Sequence, residues 1–320
     1  MPETEMSLRD QLKEVWTLGG LRPRQLARRV YTEINDDDVW GYAAQLAYYY
    51  LFSLFPFLIF LASLLAYIPI PDLMQQIMTL IGEFVPATAL DVVQEYVADL
   101  LTQPRGGLMS FGILLALWSA SSAIAAITNS LNRAYGVKEG RPFWKVRGMA
   151  ILLTIGLVVL MIASIILLIF GPELGGWLAD RLGVGDAFDV AWSIVRWPIV
   201  VFLMMFAAAL IYYLTPDVEQ EFRWITPGAV LAVLAWIGMS LAFAYYVDNF
   251  AEYDKTYGSI GAVIVLLTWM YFSGFVLLVG GEINAEIEHA SATGKDPGDK
   301  KLSDKSPKVR KRKRETKVKS

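Results

Sequence analysis

The sequence predicts an all-α integral membrane protein: a bundle of six transmembrane helices, with amphipathic helices at the N terminus and in an outer loop. Two observations carry this expectation. Six apolar stretches without an acidic residue occupy residues 41–68, 108–128, 149–170, 190–214, 224–247 and 259–280. Each has the roughly 20 residues needed to cross a hydrocarbon core of about 30 Å. The whole chain of 320 residues is 55% hydrophobic, which suits a polytopic membrane protein better than a soluble one. Lipid offers no hydrogen-bond partners to a backbone, so the runs are expected to be helices, and their solid apolar character lacks the alternation of a membrane barrel.

The elements follow in order. Residues 1–38 are polar and charged, with no apolar stretch before a small-residue cleavage site, so no signal peptide is expected. Within them, Leu8, Leu12, Val15 and Trp16 share one helical face, and Leu26, Val30 and Tyr31 share another. Gly19 and Gly20 separate the two, and the flanking arginines point to short helices lying on the inner leaflet. Asn35-Asp36-Asp37-Asp38 supplies an N-cap for the first membrane helix, with acids at the positive end of its dipole. That helix contains Tyr48-Tyr49-Tyr50 and Pro56, where a kink is expected. In the long loop that follows, Leu90, Val93, Val97, Leu100 and Leu101 predict an outer amphipathic helix. The second run ends in Trp118-Ser119-Ala120-Ser121-Ser122-Ala123, small side chains that let helices approach closely. Thr226-Pro227-Gly228 opens the fifth helix, with Thr226 as cap and Pro227 in the first turn. The expected organisation is a cytoplasmic segment at 1–38, the membrane domain at 39–288, and a disordered basic tail at 289–320.

Lys and Arg in the loops set the orientation. The N-terminal segment, the loop after the second run (Arg133, Lys138, Arg141, Lys145, Arg147) and the tail are basic, whereas the loops after the first, third and fifth runs hold only Arg105, Arg181 and Lys255. Both termini are therefore expected in the cytoplasm. The tail cations Lys308, Arg310, Lys311, Arg312, Lys313 and Arg314 would attract anionic lipid at that face. No aromatic residue is interleaved with them, so no specific nucleic acid is expected as partner.

The chain has no cysteine and one histidine, His289, beyond the last apolar run. Thiolate chemistry and disulfides are excluded, and no cofactor or metal is expected. The remaining candidates are polar residues in or near the membrane. Arg196 is the one charge inside a run, with Asp248 and Asp254 as expected partners at the same level. Asp254, Lys255 and Tyr257 make an unusually polar mouth for the sixth helix. At its other end, Glu282 and Glu286 share a face. They either meet Arg133 or Arg147, or Glu282 titrates in a transport cycle.

Several segments resemble a known family. Ala43 to Pro56, including Tyr49, is similar to the first-helix signature of the YihY/BrkB family of bacterial inner-membrane proteins. Trp118 to Asn129, with Asn132 and Tyr135, resembles the second block; Tyr253 to Ala262 and Gly280 to Ala285, which includes Asn284, resemble the last two. The resemblance covers about residues 39–288 and implies six helices and an envelope role, linked variously to serum resistance and to lipid or lipopolysaccharide traffic. Some members carry an old ribonuclease BN label. The residues here argue against RNA cleavage, which needs positioned acid–base groups or metals beside a basic surface. The expected function is movement, or assistance in movement, of a lipid-like or amphipathic envelope component across the inner membrane, not enzymatic catalysis. The alternatives are a proton- or ion-coupled small-solute exporter and a non-transporting scaffold.

Overall fold

The computed structural model describes residues 16–65, 106–169, 181, 186–220, 225–250, 259–291 and 296–300. Among the described residues the regular structure is helical: a turn of 3-10 helix at Leu18–Gly20, then α1 (Pro23–Asp36), α2 (Val39–Leu65), α3 (Gly106–Ala134), α4 (Phe143–Ile169), α5 (Asp186–Leu214), α6 (Pro227–Phe250) and α7 (Ser259–Ala290). Five of these are long and apolar enough to cross a membrane, in α3, α4, α5, α6 and α7. The remaining long helix, α2, covers residues 41–65 of the first apolar run. The chain divides into two compact units, Met1–Ala47 with Ala123–Ser320, and Tyr48–Ser122. The outer-loop helix expected at residues 90–101 lies outside the described residues.

Local chemistry sets the helix starts. Pro23 occupies the first position of α1, where its missing N–H costs nothing, and the Gln25 side chain accepts from the Arg22 N–H at 3.0 Å. Asp38 caps α2 from a left-handed backbone at φ 55°, a conformation that Asp tolerates. Its Oδ1 accepts from the Gly41 N–H at 3.3 Å, and its carbonyl from Tyr42 at 3.1 Å. α2 then runs through Pro56 without a break in its helical assignment.

In the larger unit, α1 buries Leu26, Val30 and Ile34 and packs on α7. Ile34 completes this stripe; Tyr31, grouped with it in the sequence, is 70% exposed, because it follows Val30 by only one residue and turns to the opposite flank. The α1 stripe thus meets protein. The turn at Leu18–Gly20 also sits against α7: a Cβ on Gly19 would overlap the Ile287 carbonyl and lie 3.1 Å from the Ser291 nitrogen.

Small residues bring α6 and α7 together. A Cβ on Gly280 would lie 2.7 Å from the Ala232 Cβ and 2.8 Å from the Gly228 carbonyl oxygen. Farther along, the Trp236 indole donates to Ser273 at 3.0 Å and the Trp269 indole to Ser240 at 3.2 Å, with the two rings edge to face at 5.9 Å. Each part-buried indole N–H therefore has a partner across the pair. Tyr212 of α5 donates to the Leu277 carbonyl at 2.6 Å, and Trp40 stacks on Phe275 at 4.1 Å. The outer faces of α4 to α7 are apolar, with Leu152 and Leu241 about 70% exposed, as lipid-facing surface requires.

In the smaller unit, α2 carries Tyr48 edge to face with Tyr49 at 5.6 Å. Ser119 and Ser121 of α3 are buried, and the Ser121 hydroxyl returns to the Trp118 carbonyl at 2.8 Å, the local route by which a helix satisfies its own hydroxyls.

Candidate functional site

Polar side chains of the larger unit concentrate at one end, where the start of α2, the end of α3, the start of α4, the end of α5, the start of α6 and the end of α7 meet. The consecutive helices α3 to α7 thus alternate in direction through this end. Three linked groups of residues build it.

The first group joins α3, α4 and α5. Asn132 donates to Glu139 Oε2 at 3.0 Å and accepts from the Asp217 N–H at 2.6 Å. Arg141 embraces Glu139 with its backbone N–H, Nε and Nη2 at 2.8, 2.9 and 2.7 Å, and donates to the Thr215 carbonyl at 2.6 Å. Burial pushes the Glu139 carboxyl up, but the bonds from Arg141 and Asn132 outweigh it and hold it at about 2. The bond to Glu139 raises the Arg141 guanidinium in turn. Lys300 pairs with Asp217, and an open cavity of about 550 Å³ lies between Arg141, Tyr213, Asp217, Gln220 and Lys300.

The second group fixes α6 on α7. Asn284 Oδ1 accepts from the Gly228 N–H at 2.9 Å, while its amide donates to Thr226 Oγ1 at 3.0 Å. Thr226 Oγ1 also accepts from the Ala229 N–H at 3.2 Å, so the cap expected from Thr226-Pro227-Gly228 is present and Asn284 completes it.

The third group is acidic. Glu286 of α7 faces Arg29 of α1 at 3.5 Å and His289 at 3.6 Å. Arg133 at the end of α3 faces Asp37 at 3.3 Å and donates to the Asp36 carbonyl at 3.0 Å. Burial pushes the Asp37 carboxyl up against the pull of Arg133. Burial, then the charges of Asp37 and Glu286, push Glu33 up as well. Glu282 is 1% exposed, and its Oε2 has no hydrogen-bond partner among the described residues. The His289 ring stands edge to face with Tyr135 at 5.8 Å. Burial, followed by the nearby Glu288, pushes the Tyr135 phenol well up.

These positions revise one pairing. The sequence offers Arg133 or Arg147 to Glu282 and Glu286. Arg133 goes to Asp37, and Arg29 goes to Glu286, because α1 folds its apolar stripe onto α7 and carries Arg29 across the last turns of that helix. His289 lies inside α7, which extends ten residues past the apolar run.

Of the other candidates, Glu282, Asn284 and Asn132 all fall at this end. Tyr49 and Pro56 belong to the smaller unit. Arg196 lies over the Trp197 ring at 5.8 Å, and its Nε and Nη1 are buried without a hydrogen-bond partner among the described residues. The Asp248 side chain, Asp254, Lys255, Tyr257 and the tail residues Lys308 to Arg314 lie outside the described residues. Sequence reasoning missed the roles of Glu139, Asp217, Arg29 and Glu33; only Glu139-Gly140-Arg141 carries a local signal, opposite charges two residues apart. No group of three His, Cys, Asp or Glu side chains among the described residues is placed to hold a metal ion.

Long apolar helices with outward apolar faces define a multi-pass α-helical membrane protein. Residues 30–304 match the family model described as virulence factor BrkB, and the chain belongs to that family. It is 42% identical over 243 residues to the putative ribonuclease-like protein YfkH of Bacillus subtilis, covering 76% of this chain and 88% of the relative. It is 26% identical to a UPF0761 membrane protein of Tolumonas auensis, over 89% of this chain and 93% of the relative. It is 28% identical to a UPF0761 membrane protein of Pseudoalteromonas atlantica, over 79% and 82%. No solved structure matches.

Proposed function

We propose that this protein moves, or helps to move, a lipid-like or amphipathic envelope component across a bacterial inner membrane, with both termini in the cytoplasm and no chemistry done on the cargo. One face of α2 carries this reading. Tyr48, Phe52 and Phe55, spaced four and three residues apart, are 59%, 49% and 61% exposed on it. Tyr48 and Phe52 stack at 6.0 Å. Such a ridge offers flat apolar surface to an acyl chain and, at Tyr48, a hydroxyl to a headgroup.

The orientation is supported by the basic residues at the end where α1 meets α7, and by the alternation of α3 to α7. Exposed Arg24 and Arg28 on α1 favour anionic lipid at that face. The ribonuclease-like name belongs to the Bacillus relative. Hydrolysis is not part of this reading: thiolate catalysis has no cysteine to use, and the one histidine lies against Glu286 and Tyr135. Buried Glu282 favours the second reading, an ion-coupled exporter.

The test is reconstitution into vesicles holding a headgroup-labelled anionic phospholipid, with outer-leaflet label quenched from outside. The protein is expected to speed exposure of inner-leaflet label, and the triple change Tyr48→Ala, Phe52→Ala, Phe55→Ala to slow it. Translocation no faster than in empty vesicles, for anionic and zwitterionic labels alike, would refute the reading.

A further inference from the structure

We propose that Glu282 binds one unit of positive charge, a proton or a sodium ion, at the junction of α1 and α7. The inference does not depend on what the protein carries. Glu282 is 1% exposed, and its Oε2 is buried with no hydrogen-bond partner among the described residues. It feels the charges of Asp37 in the α1–α2 turn, Glu33 of α1 and Glu286 of α7.

The arginines at this junction are already engaged: Arg29 faces Glu286 and Arg133 faces Asp37, while the His289 ring also lies against Glu286. Asp36 adds negative charge beside Asp37 and Glu33. Toward α3 the neighbouring group is the Tyr135 phenol, itself beside Glu288. No described side chain brings a positive charge to Glu282.

An ionised carboxylate buried in the field of three other acids, with an oxygen that lacks a donor among the described residues, is strongly unfavourable. A positive charge arriving with it removes the cost. A proton does so by neutralising the group; a sodium ion does so by occupying the place of the missing donor. No three acidic or histidine side chains among the described residues are grouped to hold a metal ion, so a sodium ion here would draw its remaining ligands from backbone carbonyls and water, and a divalent ion, which needs more carboxylate ligands, is disfavoured. The location suits reversible occupancy. Glu282 lies on the helix that α1 grips through Leu26, Val30 and Ile34. Its charge state therefore acts on the Arg29–Glu286 contact one turn away.

The test uses the full-length protein in detergent, with melting followed by tryptophan fluorescence. Proton and sodium concentrations are varied separately, and choline chloride holds the ionic strength. A cation that binds only the folded protein raises its melting temperature. Over a hundredfold rise in the binding cation, the wild type is expected to gain on the order of 5 °C more than Glu282→Gln. The arm that shows the difference identifies the cation. Equal dependence on both cations in wild type and variant overturns the proposal. Should Glu282→Gln fail to fold, infrared difference spectra of the wild type and Glu282→Asp decide. A carboxyl band that responds to either cation and moves in Glu282→Asp supports the site; identical spectra overturn it.

Discussion

Placing a single methyl group on Gly228 should separate α6 from α7. A Cβ there would overlap the Gly280 carbonyl oxygen and lie 2.6 Å from the Asn284 side-chain carbon and oxygen. The first obstacle is backbone, and the second is a side chain pinned by bonds to Gly228 and Thr226. Neither can swing aside. Overpacking costs about 1–3 kcal/mol. Loss of the two Asn284 hydrogen bonds adds about 1 kcal/mol each. The gain in helix propensity from Gly to Ala returns about 1 kcal/mol. The net is roughly 3 kcal/mol, or a fall in melting temperature of about 6–12 °C. Gly238, in the same helix, is the control, since a Cβ there meets nothing within 4 Å. Gly238→Ala should melt at or slightly above the wild type. Both variants are purified in one detergent and heated while tryptophan fluorescence and retention on gel filtration are followed. Equal melting of Gly228→Ala and Gly238→Ala would refute the close approach of α6 and α7, and with it the Asn284 cap.

Two further outcomes are expected. The Glu139 carboxyl is drawn from the ordinary 4.5 down to about 2, so its stabilising contribution is complete above about 4.5 and is lost as pH falls toward 2. Arg141→Met removes the donors, and the acid limb of the melting profile between those values should flatten; an unchanged limb would show that the pair contributes nothing. Because the chain has no cysteine, single cysteines report topology cleanly. Cys at Ala98 or Gly183 should react with an impermeant reagent added outside the cell and Cys at Gly136 or Ser306 should not, whereas the reverse pattern would invert the orientation.

Much of the helical framework was legible because hydropathy is a local property. Each apolar run after the first overlaps a described membrane-length helix, and the Asp36–Asp38 cluster marked the start of α2, with Asp38 as the capping residue. The ends were read less well. α4 begins at Phe143, six residues before its apolar run, and α7 continues to Ala290, where Arg29 of α1 meets Glu286. The polar end of the bundle was only half legible. Glu282 and Asn284 stood out as polar residues closing an apolar helix, but Asp217 and Glu33 look like ordinary loop or surface acids.

What the sequence by itself determined is the solvent: apolar runs too long for a soluble core commit the chain to lipid, and backbone polarity then commits the runs to helices. What only the tertiary structure decided is which charges meet. Arg29 and Glu286 are 257 residues apart in the chain, and Asn284 reaches Thr226 across 58. No periodicity encodes such pairs. They follow from α1 laying Leu26, Val30 and Ile34 on α7, and from the bare Gly228–Gly280 contact that lets α6 close against it. The same packing leaves the Glu282 Oε2 buried without a partner among the described residues: Arg133, near enough in sequence-based topology to serve it, is held instead by Asp37.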